Sequence, residues 1–393
     1  MAGSYIVAGA RTPIGKMSGA LASFKAAELG GFAIKAALER AGVAPGEVEH
    51  VLVGQVLFAG QGQLPARQAA AKAGIPLSVP ANSINKVCLS GLNSIYLADQ
   101  MIQTGEADIV VAAGQESMTN APYLAMGARG GYRYGNVELL DAIIQDGLAC
   151  AFDECLMGEG TERYLADSVS RLAQDEVAMK SNERAANAIK EGRFADEIVA
   201  VSIPQRKGDP LLFETDEGVR PGTTLESLGA LRPAFVKGGS ITAGNASQIS
   251  DGASAVVVMS KRAVEARGLH PLGEILSYGM VAGPDSVSLL SQPSNAIKKA
   301  LGRIGMSVGD IDLFEINEAF AAVGIVSMSD LGIDDEIVNV NGGGIALGHP
   351  IGMSGNRLPL TLLHELRRRG GGVGAAALCG GGGQGDAIIV RTV

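Results

Sequence analysis

The chain has no tryptophan, four histidines and four cysteines in 393 residues, and 4% of its residues are aromatic. Each scarcity excludes something. So few thiols in so long a chain rule out a disulfide framework, and reduced cysteines in a cytoplasm fit best. Cys150 and Cys155 lie close together, but with no second pair like them and so few histidines a zinc site is a poor reading; both read as packing. No apolar run approaches the roughly 20 residues needed to cross a bilayer. The start MAGSYIVAGARTPIG lacks a charged leader and a long apolar stretch, so a soluble, unexported protein is expected. Basic residues are short too: 32 Lys and Arg against 41 Asp and Glu leave a net charge of −9, which argues against nucleic acid as the main partner. An anionic ligand would need cations supplied locally.

What is abundant is glycine, at 55 positions, within a composition that is 47% apolar. Ile34 to Val56 (IKAALERAGVAPGEVEHVLVGQV) and Ile297 to Ala319 (IKKALGRIGMSVGDIDLFEINEA) align without a gap at an offset of 297 − 34 = 263. Each is an amphipathic helix, a glycine, a short acidic turn and a strand-like run. A second correspondence joins Val87–Gly114 to Val338–Cys379. The first has a Cys, Ser90-Gly91, a helical pattern through Ile102 and the run Ile109 to Ala113. The second has a strand VNVN, a glycine-rich loop, Ser354-Gly355, a helix ending in Arg367-Arg368-Arg369, in which Pro359 is tolerable if it lies in the first turn, and VGAAAL. Both halves read as β-α-β units with parallel, buried strands. Thr119 to about Asn245 differs in character, with a charged helical stretch expected from Thr161 to Phe194, and reads as a lobe inserted over a two-half core.

Four segments can carry chemistry: Cys88 in NKVCLSG, Asn317-Glu318 in EINEAFA, His349 in GGGIALGHPIGMSG and Cys379 in LCGGGGQGD. All fall where a strand gives way to a loop, and the duplication lets such ends meet in one crevice. A Cys between strand and helix sits where the helix dipole favours thiolate, so a lowered pKa is expected for Cys88. His349, held in a turn by Pro350, reads as a presented imidazole; a satisfied core histidine is the alternative. His50 and His270 flank charged or turn segments and His364 lies in an exposed-looking helix, so all three read as surface or packing residues. The glycines after Cys379 can aim backbone N–H groups at a developing oxyanion. The GxGxxG spacing of Gly380, Gly382 and Gly385 is spurious as a dinucleotide site, since eight residues follow and no helix fits. The Asn317 amide could hold a water and the Glu318 carboxylate could orient an imidazole, or either could cap a helix.

At this point the chain resembles the thiolase family, in particular its acetyl-CoA acetyltransferases. The resemblance runs nearly end to end: ARTPIGK (10–16), GQESM (114–118), LRPAF (231–235), TAGNAS (242–247), NEAFA (317–321), NGGGIALGHPIGMSG (341–355) and LCGGGGQGD (378–386). It implies duplicated βαβαβαββ halves in a five-layered α-β-α-β-α core, with residues 1–118 and 246–270 as one half, 271–393 as the other and 119–245 as the inserted lobe. It implies that Cys88 is acylated, that His349 activates it, and that Cys379 exchanges the α-proton. Asn317 with a water and His349 would form one oxyanion hole, and the N–H groups of Cys88 and Gly381 the other. Coenzyme A and acetyl-CoA enter as substrates, and no permanently bound cofactor or metal is implied. Leu148, Met157, Arg220, Ser227, Phe235, Ala243, Gly244, Ser247, Ala319 and Phe320 stand where the family contacts coenzyme A. A homotetramer built as a dimer of dimers, with Tyr123 to Asn136 at the tetramerisation loop, is also implied. Leu156 before Met157-Gly158, EGTERY, SGNRLPL and LLSQPSNAI depart from the family's usual wording, away from the four chemical positions. They leave acyl-chain length open between an acetoacetyl-CoA enzyme and a broader 3-ketoacyl-CoA thiolase. A carrier-protein ketosynthase would carry a second histidine where NEAF stands, and a non-catalytic scaffold would have lost Cys88 or His349.

Overall fold

The computed structural model describes residues 3–165 and 168–393. Nine strands of the main sheet are β1 (Ser4–Arg11), β2 (His50–Gly54), β3 (Ala81–Ile84), β4 (Ile109–Ser117), β5 (Ser250–Ser260), β6 (Gly273–Ala282), β7 (Leu313–Ile316), β8 (Val373–Gly380) and β9 (Gln384–Thr392). Their order is β7-β8-β9-β6-β1-β5-β4-β2-β3, with the stub Gly15–Lys16 paired to β5. Strand β2 is parallel to β3 and β4, and β7 to β8; the other pairings are antiparallel. The expectation of parallel strands therefore holds only within the crossover units. The join between β1 and β6 covers three residue pairs, so the sheet is two half-sheets linked at a corner.

The longer helices are α1 (Ala26–Ala41), α2 (Pro65–Lys72), α3 (Ser90–Gln103), α4 (Met157–Leu165), α5 (Arg171–Lys190), α6 (Gln292–Ile304), α7 (Ala321–Leu331) and α8 (Ser354–Arg368), and short ones span Leu225–Gly229, Lys261–Arg267 and Gly344–Leu347. The repeat is physical. Helices α1 and α6 both end on a left-handed glycine, Gly42 and Gly305, and both lead through a short 3-10 turn, Pro45–Glu47 and Val308–Asp310, into β2 and β7. Helices α1 and α2 cover one half-sheet through Leu29, Ile34 and Ala69. The other half-sheet is covered by α6 through Ala296, Ile297 and Leu301, and α7 packs beyond it. Helices α3 and α8 lie between the half-sheets, with Leu92, Ile95, Leu358 and Leu362 in one apolar cluster. Five layers result, as the resemblance implied.

In the central layer the helix starts cross at the repeated Ser-Gly pairs. A Cβ on Gly91 would stand 2.7 Å from Asn356 N, and one on Gly355 would stand 2.5 Å from Leu92 N, so only glycine lets the two backbones meet. That contact brings the loops preceding α3 and α8 side by side.

Three local expectations fail. VNVN is no strand: Val338 makes one bridge to Phe314, and the chain then turns at Asn339, φ +47. The Asn339 amide takes over the strand's role, accepting from Ile316 N and donating to Ile316 O, both at 2.8 Å. The stretch from Thr161 to Phe194 is two helices, α4 and α5, the second capped by Ser170 accepting from Ala173 N; residues 166 and 167 lie outside the described residues. Pro359 falls in the second turn of α8, because the helix begins at Ser354. Among the described residues no helix is long and apolar enough to cross a membrane, and no group of three or more His, Cys, Asp or Glu side chains could hold a metal ion.

Candidate active site

Between β3 and α3 the chain makes a tight turn at Val87, whose φ of +50 is an unfavourable conformation for a β-branched residue. The turn is tied down locally. Lys86 N donates to Ser90 Oγ at 2.8 Å, and Ser90 Oγ donates to the Val87 carbonyl at 2.6 Å. Cys88 follows, partly exposed, against Val56, Leu57, Met118 and Ile351. Its own N–H and that of Gly381 both point at the sulfur, yet burial outweighs them and pushes the thiol up to about 11, with the Glu116 carboxylate adding to the rise. The expected lowering by the helix start is overturned. Cys88 is therefore a thiol at ordinary pH, and to act as a nucleophile it would have to give its proton to a base.

His349 is the candidate base. His349 is buried, and its backbone N–H donates to the Gln248 carbonyl at 3.2 Å. Ser354 Oγ gives its single proton to the Pro350 carbonyl at 3.1 Å, so toward His349 Nδ1, 2.6 Å away, it accepts. The Nδ1–H tautomer satisfies both ring contacts, with the Nε2 lone pair facing Asn317 Nδ2 at 3.4 Å. Burial and then the Arg357 charge push the imidazole down to about 4, so it is neutral and able to accept a proton at ordinary pH. Asn317 follows β7, where its N–H donates to the Ala377 carbonyl, two residues before Cys379; its Oδ1 is buried with no hydrogen-bond partner among the described residues.

Glu318 does not orient the imidazole. It accepts from Ser181 Oγ at 2.6 Å, Asn339 Nδ2 at 3.0 Å and Ile345 N at 3.1 Å, which spends the carboxylate on clamping α5 to the core. Cys379 is buried near the end of β8; burial raises its thiol pKa first, and the charge of Cys88 raises it further, so the two sulfurs are within electrostatic reach. Strand β9 begins at Gln384, straight after the glycine turn, leaving no place for a dinucleotide fold.

The lobe residues divide. Leu148 packs in the Cys88 cluster, and a side chain at Gly381 would touch Met157 Sδ at 3.9 Å. Phe235 meets Phe320 edge to face at 5.9 Å, and Ser247 N donates to the Ala319 carbonyl at 3.0 Å, so an apolar strip runs outward from Gly381. Gly244 is buried where a Cβ would strike Leu231 and Leu228, while Ala243 is exposed beside it. Arg220 and Ser227 are exposed at the outer rim, and the Ser227 hydroxyl is engaged in capping its own short helix. Cys150 and Cys155 face each other across a two-residue ladder, both free and buried in the cluster that holds Met157 and Phe320. His50 bonds Asn82 and His270 is exposed, but His364 is half-buried, since α8 is a central helix covered on most sides.

Sequence reasoning passed over Glu116 and Ser354. Buried Glu116 accepts from Val56 N at 2.9 Å, Leu57 N at 3.2 Å and Gly352 N at 3.0 Å, pinning the His349 loop beside the wall of the Cys88 pocket. Its charge reads in GQESM but its partners do not. Ser354 was visible only as half of a repeated Ser-Gly.

Against known proteins, a model described as "Thiolase, N-terminal domain" matches residues 4–262, and "Thiolase, C-terminal domain" matches residues 269–392. A "Probable acetyl-CoA acetyltransferase" of Mycobacterium leprae is 58% identical over 394 residues, covering all of both chains. A protein of the same name from Mycobacterium tuberculosis is 58% identical over 392 residues, again covering 100% of each. An "Acetyl-CoA acetyltransferase" of Cupriavidus necator is 52% identical over 387 residues, 98% of each chain.

Proposed function

The chain belongs to the thiolase family, and we propose that within it this protein is an acetyl-CoA C-acetyltransferase, joining two acetyl-CoA molecules into acetoacetyl-CoA and coenzyme A through acetyl-Cys88. One observation carries the reading: the Gly381 N–H of one half lies on the Cys88 sulfur of the other. The Cys88 thiol adds to the thioester carbonyl as His349 Nε2 takes its proton, and the Cys88 and Gly381 N–H groups receive the oxyanion. The departing coenzyme A thiolate takes the Cys379 proton, leaving a Cys379 thiolate opposite the imidazolium. That thiolate removes the α-proton of a second acetyl-CoA, whose enolate oxygen is met by His349 and a water held at Asn317. The carbanion then attacks acetyl-Cys88, and the departing Cys88 thiolate regains its proton from His349. Covalent catalysis splits one difficult exchange into two, and each oxyanion donor of this kind contributes on the order of 10²–10³ in rate.

Coenzyme A lies along the Met157–Phe235–Phe320 strip with Arg220 near its phosphates, and it is a substrate, with no resident cofactor. The side chains of Val56, Leu57, Met118, Ile143, Leu148 and Ile351 fill the space beside Cys88, which suits a short acyl group. Met126, Tyr132, Tyr134, Val137 and Leu139 are exposed apolar residues of the lobe, which supports assembly as a dimer of dimers. Free cysteines suit a reducing cytoplasm, and the reaction serves fatty-acid metabolism in either direction. The test is thiolysis across lengthening 3-ketoacyl-CoAs, with mass spectrometry after acetyl-CoA alone. A single acetyl group on the Cys88 peptide and a steep fall beyond acetoacetyl-CoA are expected. A flat or rising profile replaces the reading with a broader 3-ketoacyl-CoA thiolase, and an unmodified Cys88 removes acyl transfer altogether.

A further inference from the structure

Lys86 and Asp386 belong to opposite halves of the chain; Lys86 lies two residues before Cys88, and Asp386 is paired with the residue before Cys379. Lys86 Nζ lies 2.8 and 2.9 Å from the two Asp386 carboxylate oxygens. The Asp386 side chain is 0% exposed and that of Lys86 20%, so the pair is largely withdrawn from water. Tyr278 donates its hydroxyl to Asp386 Oδ2 at 2.8 Å, and its ring packs on Tyr96 of α3 at 4.5 Å. The carboxylate is thereby held on two sides. The ends of this bridge matter most. Lys86 directly precedes the strained Val87, two residues before Cys88. Asp386 stands opposite Leu378 in the β8–β9 ladder, and Leu378 directly precedes Cys379. The turn of that hairpin presents the Gly381 N–H to the Cys88 sulfur. A conformation like that of Val87 persists only where its surroundings over-determine it, and Lys86 supplies the tie to the opposite half.

We propose that Lys86 and Asp386 are a positioning pair, pinning the Cys88 turn to the Cys379 hairpin so that the Cys88 sulfur and the Gly381 N–H stay in register for acyl transfer. The inference rests on the acyl-transfer reading above. Its alternative is a bridge that only holds the halves together, whose loss would lower the melting temperature and leave acylation untouched.

Three variants separate these: Lys86→Met, Lys86→Arg, and the double variant Lys86→Met with Asp386→Leu, which leaves no unpaired buried charge. The readout is the single-turnover rate of Cys88 acetylation by acetyl-CoA, alongside KM and the circular dichroism of each protein. Lys86→Met and the double variant should acetylate roughly tenfold or more slowly, as small misplacements of reacting groups do. KM should stay within about twofold, and Lys86→Arg should recover most of the rate. Acetylation within about twofold of wild type in Lys86→Met, or a loss expressed wholly in KM, would overturn the pair's role; should the double variant fail to fold, Lys86→Met alone decides. A wild-type protein that never acetylates fails the acyl-transfer reading itself, a different result.

Discussion

Cys88 sits in a strained turn between strand and helix, partly open to solvent, with two N–H groups on its sulfur; Cys379 lies inside a strand, fully buried, and its thiol pKa is lowered only by its own N–H. Both thiols are raised by burial, Cys379 further than Cys88, and access and donors differ in the same sense. In the proposed reaction the partly open one, with two N–H donors on its sulfur, carries the acyl group. The closed one, held within its strand, is given only a proton transfer in that proposal. A duplicated chain has thus put the same atom into two kinds of strand end and obtained two kinds of sulfur.

The sharpest way to break that contrast is to remove each sulfur in turn. Cys88→Ala should take away acetyl-enzyme formation and lower turnover by roughly four orders of magnitude or more. Cys379→Ala should still form acetyl-Cys88 from acetyl-CoA while condensation falls by roughly 10²–10⁴. Mass spectrometry of the two variants with acetyl-CoA reads the difference directly. If Cys379→Ala fails to acetylate and Cys88→Ala acetylates, the roles are exchanged.

A smaller effect is expected one step out. Ser354→Ala removes the acceptor that satisfies the Nδ1–H tautomer of His349, leaving the ring free to present the wrong nitrogen. The acetylation rate should fall about tenfold to a hundredfold, as loss of an orienting partner does. KM for acetyl-CoA should barely move, and Ser354→Thr should restore most of the rate. A fall confined to KM would place Ser354 in substrate binding instead.

These partners also mark where reading the chain stops. Cys88, Asn317 and Cys379 were legible because each lies at or just past the end of a strand in a chain that repeats, and repeated strand ends converge; His349 was legible from its glycine-rich turn before Pro350, although no strand leads into it. The Ser-Gly pairs were legible as a repeat, though their steric purpose, the crossing of α3 and α8, needed coordinates. Glu318 was misread because a carboxylate beside an active-site asparagine has no visible direction in sequence; its three donors come from α5, Asn339 and Ile345, at sequence separations that no local pattern records. VNVN was misread because its apolar alternation is that of a strand, and the stop comes from a side chain, Asn339, substituting for backbone. The Cys88 pKa was misread because a dipole can be inferred from a helix start, while the depth of a pocket cannot. Lys86 and Asp386 lie 300 positions apart and only the folded molecule shows them as partners.

The smallest expected effect concerns pH, and two buried groups near Cys88 can be told apart by it. In its proposed role as base His349 must be neutral, and its folded pKa is pushed down to about 4, so its neutral fraction stays nearly full above pH ~5. An imidazole at the usual value near 6.5 would instead lose about tenfold of its base form between pH 7.5 and 5.5. The sign for stability follows the same shift. The unfolded chain takes up this proton at higher pH than the native one, so the contribution of neutral His349 is complete above about pH 6.5 and is lost as pH falls toward 4. Glu116 acts in the opposite sense: burial pushes it up to about 7, so the native state binds its proton first, and that contribution grows as pH falls from 7 toward the ordinary carboxylate range. Acetylation by wild type should therefore show at most a modest inflection near pH 7, and none of the fall expected of an ordinary histidine. Glu116→Gln should abolish the inflection while leaving the profile flat down to about pH 5. A tenfold decline between pH 7.5 and 5.5 that survives in Glu116→Gln would mean that His349 titrates as if exposed, and the buried, Ser354-oriented base would have to be given up.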